Sequence, residues 1–455
     1  MQVIRAEQAL TAEGWVEGLT VGIGPDGRIA RLAQEPAPEG AHRVAVLLPA
    51  PVNLHSHAFQ RAMAGLSERR GPDPRDSFWT WRQLMYRFLD QLTPGDVEAI
   101  TAFVQMQMLE AGYAAVAEFH YLHHQPRGVP YDNIAELSAR IAAAAGQTGI
   151  GLTLLPVLYQ YGGCDGRELG PGQNRFGNDP ERFADLVEGA EVALRALPAD
   201  ARLGIAPHSL RAVSPEGLAI AAGLRPYAPL HIHLAEQVGE VEEVLAHHGA
   251  RPVEWLLANA QVDSRWCLIH ATQMLPAETA ALARTGAVAG LCPITESSLG
   301  DGIFDGTGWR AAGGRFGVGS DSNIRIALAE ELRTLEYSQR LRDRARAVLA
   351  EPERSTGRVL FDAVAEGGAQ AAGRASGAIA RGMLADLVAL DGAAVDLVGK
   401  RGDTVLDTWI FAGDDRMVRD VWSAGRHLVR EGRHHAREAI TARYAGTLGR
   451  LKDAM

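Results

Sequence analysis

Two histidines separated by one residue, His55 and His57, follow an apolar run at residues 44–54. Residues i and i+2 of a β-strand point to the same side, so a strand that ends in His-x-His delivers two imidazoles to one point. Neutral imidazoles that converge in this way are typical ligands of a transition metal, most often zinc. Two surface histidines after a strand would give the same pattern, so the polar residues downstream decide between the interpretations.

Three further apolar segments carry residues that can bind metal or transfer protons. His231 and His233 lie in one of them, which ends at Glu236; either histidine can be a third ligand, and His233 lies nearer the strand end. His270 and Asp321 end the other two. Helix caps and buried hydrogen-bonded residues explain any one of these residues but not all of them together. Three histidines and an aspartate predict a site for one divalent ion, Zn²⁺, with a position left open for water.

These residues lie in a chain that alternates apolar strands with amphipathic helices. Continuously apolar strands pair in parallel and are buried on both faces. Eight such units predict an α/β fold with a (β/α)8 TIM-type barrel, and a doubly wound sheet is the alternative. In a barrel, side chains at the carboxyl ends of the strands face the active site. The predicted strands are residues 44–57, 114–121, 151–159, 202–209, 229–236, 265–271, 287–293 and 315–321.

Short strand-like segments at both chain ends predict a second module. Gly24-Pro-Asp-Gly27 marks a turn between two of them, and residues 385–391, 408–412 and 417–422 have the same character. We expect these segments to form a small β-sandwich domain built from both chain termini. The predicted division is 1–45 for the N-terminal part of this β module, 46–375 for the metal-dependent barrel, and 376–455 for the C-terminal part and a terminal helix.

Composition limits the partners of the protein. The chain has 455 residues, 47% of them hydrophobic, and a net charge of -10, which argues against nucleic acid and acidic membranes as partners. It has neither a secretory pattern at the N-terminus nor a run of about 18 apolar residues, so we expect a cytoplasmic protein. Cys164, Cys267 and Cys292 form no C-x-x-C pair and are interpreted as reduced structural thiols.

With these residues in place, the chain resembles the amidohydrolase superfamily over nearly its whole length. The resemblance implies a deaminase that uses one metal ion, because Pro207-His208-Ser209 stands where a lysine would bridge two ions. It implies that Glu236 carries protons, that His270 polarises the attacking water or the intermediate, and that Asp321 both binds the metal and accepts the proton of the water. The metal ligands that it implies are His55, His57, His233 and Asp321.

Longer motifs resemble one branch, the N-formimino-L-glutamate deiminases, which release ammonia from this amidine and form N-formyl-L-glutamate in histidine degradation. The motifs are residues 53–61, 78–82, 118–121, 207–211 and 292–300. The resemblance implies that a homodimer forms and that five residues bind the small dicarboxylate substrate: Gln60, Arg82, Tyr121, His208 and Arg211. Planar guanidinium groups pair with carboxylates through two hydrogen bonds, which suits two arginines to a substrate with two carboxylates.

Two alternatives stay open at this point. One is an aminohydrolase of a neutral aromatic ring such as guanine, cytosine or a triazine, although Glu296 stands where an asparagine is frequent in nucleobase deaminases. The other is a catalytically silent barrel that acts as a scaffold, which would be expected to lack at least one ligand. Arg82 also follows two tryptophans, a pattern that is typical of cation–π packing as well as of substrate binding.

Overall fold

The computed structural model describes residues 2–36, 38–68 and 78–452. The strands in these ranges are β1 (Gln2–Thr11), β2 (Gly14–Ile23), β3 (Ile29–Ala33), β4 (His42–Pro49), β5 (Val52–Ser56), β6 (Ala115–His120), β7 (Gly151–Leu158), β8 (Arg202–Leu203), β9 (Ala206–Pro207), β10 (Leu230–Leu234), β11 (Trp266–His270), β12 (Val288–Leu291), β13 (Arg315–Val318), β14 (Leu387–Leu390), β15 (Val418–Ser423), β16 (Arg426–Arg430) and β17 (Arg433–His434).

The α-helices in the same ranges lie mostly between the strands of the central part of the chain. They are α1 (Phe78–Leu89), α2 (Pro94–Glu110), α3 (Glu136–Thr148), α4 (Pro180–Leu194), α5 (Pro215–Leu224), α6 (Val238–His248), α7 (Pro252–Asn259), α8 (Pro276–Ala283), α9 (Pro293–Leu299), α10 (Gly306–Ala311), α11 (Leu328–Asp343), α12 (Thr356–Ala371), α13 (Asp403–Phe411) and α14 (Arg437–Leu451). In the part of the chain that the structure describes, none of them has the length and apolar character needed to cross a membrane.

The central strands form two parallel sheets. One has the order β5-β6-β7-β8, with β9 also paired to β7, and the other has the order β10-β11-β12-β13. β8 and β9 are two short pieces of the single strand predicted at 202–209. Every residue of β5, β6, β7 and β10 to β12 is buried, as expected for strands covered on both faces. The predicted parallel α/β core is therefore confirmed.

The predicted strand 44–57 was wrong as a single element. It divides at Ala50-Pro51 into β4 and β5, and Pro51 has no backbone N–H with which to continue a ladder. β4 pairs with β1 and β14, whereas β5 pairs with β6 in the first parallel sheet. The chain thus passes from one sheet to another immediately before the His-x-His sequence.

Backbone hydrogen bonds also join the two parallel sheets. Near the end of β13, the N–H of His57 donates to the carbonyl of Asp321 at 2.9 Å, and the N–H of Asp321 donates to the carbonyl of His55 at 3.0 Å. Gly319 permits this approach, because a Cβ there would lie 2.6 Å from the backbone nitrogen of His55. The opposite edges of the two sheets meet between β10 and the segment of β8 and β9. There the N–H of His231 donates to the carbonyl of Ile205 at 3.0 Å.

Strands from both chain ends form one eight-stranded sheet in the order β17-β16-β15-β14-β4-β1-β2-β3. All neighbours are antiparallel except β1 and β4. The prediction that the two termini build one β module is confirmed in this form. The strand predicted at 408–412 was wrong: it lies in helix α13, whose buried residues have helical spacing. They are Val405, Leu406, Trp409 and Ile410.

A buried ion cluster connects the terminal sheet with the parallel core. Arg374, which follows α12, donates to Asp386 at 2.5 and 2.9 Å and to Asp200 at 2.9 Å. Asp386 directly precedes β14, and Asp200 lies two residues before β8. Arg426 of β16 also donates to Asp200, at 2.7 and 2.8 Å. The side chains of Arg374 and Asp386 are at most 2% exposed, so water cannot replace either partner.

Removal of the buried cation should therefore be costly. We expect Arg374→Met to lower the free energy of unfolding by about 3–5 kcal/mol, because it leaves the buried carboxylate of Asp386 without a counter-charge and leaves Asp200 with Arg426 alone. Chemical denaturation measures the change. The control is Arg225→Met, which breaks a surface ion pair with Glu191 and should cost at most about 1 kcal/mol. Equal stability of the two variants would contradict the role given to the cluster.

Candidate active site

The carboxyl ends of the parallel strands bring the predicted ligands to one place. His55 lies in β5 and His57 one residue beyond it, His233 lies in β10, and Asp321 follows β13 by three residues. All four are at most 5% exposed. The Nε2 atom of His55 lies 3.2 Å from Nε2 of His57 and 3.2 Å from Nε2 of His233. Asp321 Oδ1 lies 3.5 Å from His55 Nε2 and 3.3 Å from His57 Nε2.

These separations fit a metal ion. Four ligands at about 2.0–2.1 Å from a tetrahedral zinc lie about 3.3–3.4 Å from one another. Imidazole nitrogens at 3.2 Å need either a proton or a cation between them, and His55 Nε2 faces two such nitrogens and a carboxylate at once. A shared proton can satisfy only one of these pairs. The donor set of three imidazoles and one carboxylate is therefore suited to one divalent transition metal.

Hydrogen bonds at the far side of two rings fix the tautomer that a metal requires. His57 Nδ1 donates to the carbonyl of Phe119 at 2.9 Å, and His233 Nδ1 donates to the carbonyl of His208 at 3.1 Å. Each bond leaves the Nε2 lone pair directed at the cluster. Burial lowers the pKa of His55 to about 3 and that of His233 well below its ordinary value, so both rings stay neutral. His231 does not join the cluster, because its Nε2 lies 2.8 Å from the carbonyl of Ala371 at the end of α12.

A network of uncharged side chains holds Asp321 against the His-x-His strand. Asn53 of β5 donates to Ser320 Oγ at 2.7 Å, and Ser320 Oγ donates to Asn323 Oδ1 at 2.6 Å. Asn323 in turn donates to Ser56 Oγ at 3.1 Å. Asp321 and Asn323 have φ of 44° and 55°, a left-handed conformation that non-glycine residues adopt rarely and often at functional sites. The network thus keeps the carboxylate in an unfavourable turn beside the histidines.

His270 and Glu236 lie next to the ligand cluster. His270 Nε2 is 3.8 Å from Glu236 Oε1 and 3.9 Å from Asp321 Oδ2, and its Nδ1 donates to Glu296 Oε1 at 3.2 Å. Burial alone would lower the pKa of His270, but attraction to Glu236 and the bond to Glu296 hold it well above its ordinary value. Burial raises the pKa of Glu236. The pair therefore combines a cationic imidazole with a carboxyl group that can carry a proton.

Two further carboxylates position this pair. Glu296 accepts from the backbone N–H of Cys292 at 2.8 Å as well as from His270, so the start of α9 fixes its orientation. Glu240 of α6 is fully buried and accepts from the backbone N–H groups of Ala235 and Glu236 at 3.1 and 2.9 Å. Ala235 has a φ of 51°, and Glu240 stabilises this turn, which aims Glu236 at the cluster.

All five residues with implied substrate roles line a single cavity above the ligand cluster. They are Gln60, Arg82, Tyr121, His208 and Arg211, and the same cavity is lined by His57, His233, Glu236, His270 and Asp321. His55 lies beneath the cavity floor, fully buried. The structure therefore brings together the residues predicted for metal binding, catalysis and substrate binding, and leaves out His231. In the motif 78–82, the side chains of the first three residues lie outside the described part of the chain.

The cavity has two cationic positions. Arg82 of α1 donates to Tyr159 Oη at 2.7 Å, and its guanidinium lies 5.4 Å from the centre of the Tyr86 ring. Arg211 is only 5% exposed. Burial and then repulsion from Arg211 and Arg82 lower the pKa of His208 well below its ordinary value, so the pocket holds a neutral imidazole between two cations. Such a pocket favours an anionic ligand.

Several residues of the site were absent from the sequence-based prediction. Tyr159 is the last residue of the predicted strand 151–159, and Glu240 follows Glu236 by one helical turn. The position of each in the sequence could therefore have identified it as a site residue. No sequence pattern indicates Met85 or Phe176, because they enter the cavity from α1 and from the loop before α4. Only the packing of distant segments places these two side chains at the cavity wall.

Comparison with known proteins agrees with this geometry. The family model described as "Amidohydrolase family" matches residues 46–428, and the model described as "Formimidoylglutamate deiminase HutF, N-terminal domain" matches residues 1–45. A formimidoylglutamate deiminase of Pseudomonas aeruginosa is 50% identical over 457 residues, which cover 100% of both chains.

Solved structures of two other proteins have the same fold as this chain. An amidohydrolase from Brucella melitensis is 50% identical, with a TM-score of 0.95 over 99% of this chain and 100% of that one. An adenosine deaminase from Xanthomonas campestris with bound zinc is 21% identical and shares the fold, with a TM-score of 0.82 over 99% and 98% of the chains. The extent of these matches establishes that the chain belongs to the amidohydrolase family.

Proposed function

We propose that this protein hydrolyses N-formimino-L-glutamate to N-formyl-L-glutamate and ammonia, a step in histidine degradation. The observation that carries the proposal is one cavity with a histidine-rich group of metal-type ligands at its base and two arginines in its wall, Arg82 half-buried and Arg211 buried. The relative of the same length at 50% identity, named formimidoylglutamate deiminase, supports the same substrate. The site thus matches a small dicarboxylate that carries a hydrolysable C–N bond.

The charges of the substrate explain the pocket. N-formimino-L-glutamate has two carboxylates, and Arg82 and Arg211 offer one guanidinium to each. Gln60 and Tyr121 form a joined polar pair, with a hydrogen bond of 2.7 Å from Gln60 Nε2 to Tyr121 Oη. Gln60 Oε1 is buried without a hydrogen-bond partner among the described residues, so it can accept an N–H of the substrate. A neutral purine has no carboxylate to pair with either guanidinium, so two arginines in the cavity wall favour the dicarboxylate.

The residues around the cluster can carry out the hydrolysis. His55, His57, His233 and Asp321 would hold one divalent ion, Zn²⁺ in our proposal, which makes a water molecule nucleophilic near neutral pH. Asp321 would accept a proton from the attacking water as the water oxygen bonds to the formimino carbon. Glu236 delivers protons to the terminal nitrogen, and His270 stabilises the negative charge that develops on the oxygen. The oxygen loses its second proton as the formyl C=O forms, and the two protons of the water reach the terminal nitrogen through Asp321 and Glu236. The C–N bond breaks, the carbon keeps the oxygen, and ammonia leaves.

We further infer that the two parallel sheets form one closed (β/α)8 barrel. The hydrogen bonds between His57 and Asp321 and between His231 and Ile205 support closure at both seams. Trp422 of β15 shares a buried cluster with Ile4 of β1 and Val21 of β2, which favours a sandwich-like packing of the terminal sheet. The proposed domains remain 1–45, 46–375 and 376–455. A homodimer and a cytoplasmic location stay predictions.

Substrate choice tests the proposed function directly. We expect the purified, zinc-loaded protein to release ammonia rapidly from N-formimino-L-glutamate. Release from N-formimino-glycine should be much slower, because this compound lacks the second carboxylate, and guanine should not react. A coupled ammonia assay measures all three. Turnover of guanine without turnover of N-formimino-L-glutamate would overturn the proposal in favour of an aromatic aminohydrolase.

The roles of Glu236 and His233 can be separated by measuring bound metal and turnover together. We expect Glu236→Gln to keep its metal but to lower kcat by about 10²–10⁴-fold, since the amide has the same shape and cannot transfer protons. His233→Ala should lose most of its metal and its activity. Elemental analysis of the dialysed proteins gives the metal content. Full turnover by Glu236→Gln would remove this residue from the mechanism.

The two arginines can be tested through substrate preference. We expect Arg82→Met and Arg211→Met each to lower kcat/KM for N-formimino-L-glutamate by about 10²–10³-fold, because each loses a charge-assisted pair worth about 3–4 kcal/mol. The variant that loses the partner of the side-chain carboxylate should also lose its preference over N-formimino-glycine. Arg225→Met is the matched control on the surface and should keep wild-type kinetics. Unchanged preference in both variants would contradict the carboxylate clamp.

A further inference from the structure

A second group of metal-type ligands lies in the terminal sheet, apart from the active-site cavity. It consists of His42 at the start of β4, Asp420 in β15 and His427 in β16. One ligand atom from each residue lies within 4.8 Å of the other two. The three residues belong to both chain ends, and none of them lines the catalytic cavity.

The aspartate is placed between the two imidazoles. Asp420 Oδ1 lies 2.8 Å from His427 Nε2, and Asp420 Oδ2 lies 3.4 Å from His42 Nε2. Each histidine thus directs Nε2 at a different oxygen of one carboxylate. Two imidazoles and a carboxylate are a donor set that suits zinc and similar transition metals.

An aromatic ring holds both imidazoles in this arrangement. Trp422 stacks on the His427 ring with 4.3 Å between centroids, and it contacts the edge of the His42 ring at 5.4 Å. The two histidine rings lie 4.9 Å apart at a steep angle. Because Trp422 is fully buried, the rings have little freedom to move away, and the donors are preorganised.

The group also contains buried polar atoms whose bonding is incomplete. Asp420 Oδ2 and His42 Nε2 have no hydrogen-bond partner among the described residues, although both atoms are shielded from water. The side chain of Asp420 is 2% exposed, and buried carboxylate oxygens are normally satisfied. A cation between these two atoms would satisfy both of them. The side chain of His42 is 37% exposed, which gives an ion and its water ligands a route from solvent.

The charged side chains around this group are compatible with a bound metal cation. Arg419 Nε lies 3.7 Å from Asp420 Oδ2, but the same guanidinium also lies 3.4 Å from Asp391 and 3.7 Å from Glu431. Three carboxylates therefore surround one arginine. Its side chain is 42% exposed, so it can turn toward Asp391 and Glu431 when another cation takes its place beside Asp420.

We propose that His42, Asp420 and His427 form a second binding site for a divalent transition metal such as Zn²⁺. The site is independent of catalysis and links β4 from the N-terminal part of the chain with β15 and β16 from the C-terminal part. Three protein ligands leave room for water on the ion, so it binds more weakly than an ion in the active-site cluster. Occupation stabilises the folded protein, because the unfolded chain does not hold these residues together.

Zinc binding by the metal-loaded enzyme tests the site. We expect equilibrium dialysis against buffered, micromolar free Zn²⁺ to leave about two zinc ions per chain in the wild type and about one in His42→Gln and Asp420→Asn. The thermal midpoint should rise with free Zn²⁺ in the wild type and stay constant in both variants. His42→Gln is the less disruptive change, because this side chain is partly exposed, and its thermal midpoint without added zinc shows whether the fold is retained.

A surface histidine provides the matched control. His247→Gln removes a histidine of α6 that lies outside the group, and it should keep both zinc ions and the zinc-dependent rise in thermal midpoint. The proposal is wrong if the wild type holds only one zinc ion. It is also wrong if His42→Gln keeps the second ion, or if His247→Gln loses it to the same extent.

Discussion

The crowding of three imidazoles and a carboxylate at the floor of the cavity is the constraint on which the rest of the structure depends. Buried Nε2 atoms 3.2 Å apart with their lone pairs directed at one another repel unless a proton or a metal ion lies between them. The carbonyl partners of His57 and His233 nevertheless hold both rings in the tautomer that points a lone pair inward. The folded protein therefore holds the ligands in a repulsive arrangement before an ion binds, and metal binding can remove this repulsion.

The layer behind the ligands is made mainly of carboxylates and amides that bind backbone or ring N–H groups. Glu240 holds the turn before Glu236, Glu296 holds His270, and Asn323 joins Ser56 to the turn that carries Asp321. The bond of Glu240 is local to the connection between β10 and α6, whereas Glu296 and Asn323 reach His270 and Ser56 from a neighbouring unit of the fold. This arrangement explains how several left-handed turns, such as those at Ala235 and Asp321, persist at the strand ends.

The terminal sheet is attached to the parallel core through charges rather than through apolar packing alone. Arg374 lies between Asp386 of the sheet segment and Asp200 of the core, and all three side chains are nearly inaccessible to water. Helix α14 returns from the sheet to the core, where Tyr444 stacks on Phe103 of α2 at 4.0 Å. The two chain ends therefore support the same core that presents the active site, while the His42, Asp420 and His427 group lies within the sheet itself.

The sequence alone indicated the parallel strands and the β module from both termini, and polar residues at the ends of apolar runs carried a local signal for a metal site. The substrate residues were implied only by the resemblance to the deiminase branch, and the roles of all these residues stay proposals. The strand pattern left His231 and His233 open, since both lie on the same face of one strand. Only the tertiary structure places His233 Nε2 3.2 Å from His55 Nε2, while His231 Nε2 lies against the carbonyl of Ala371. The sequence also predicted a strand at 408–412. A short apolar run is compatible with a strand or with a helix, and packing against α12 favours helix α13. Met85, Phe176 and the ion cluster around Arg374 depended on tertiary structure, because contacts between residues far apart in the chain have no local pattern.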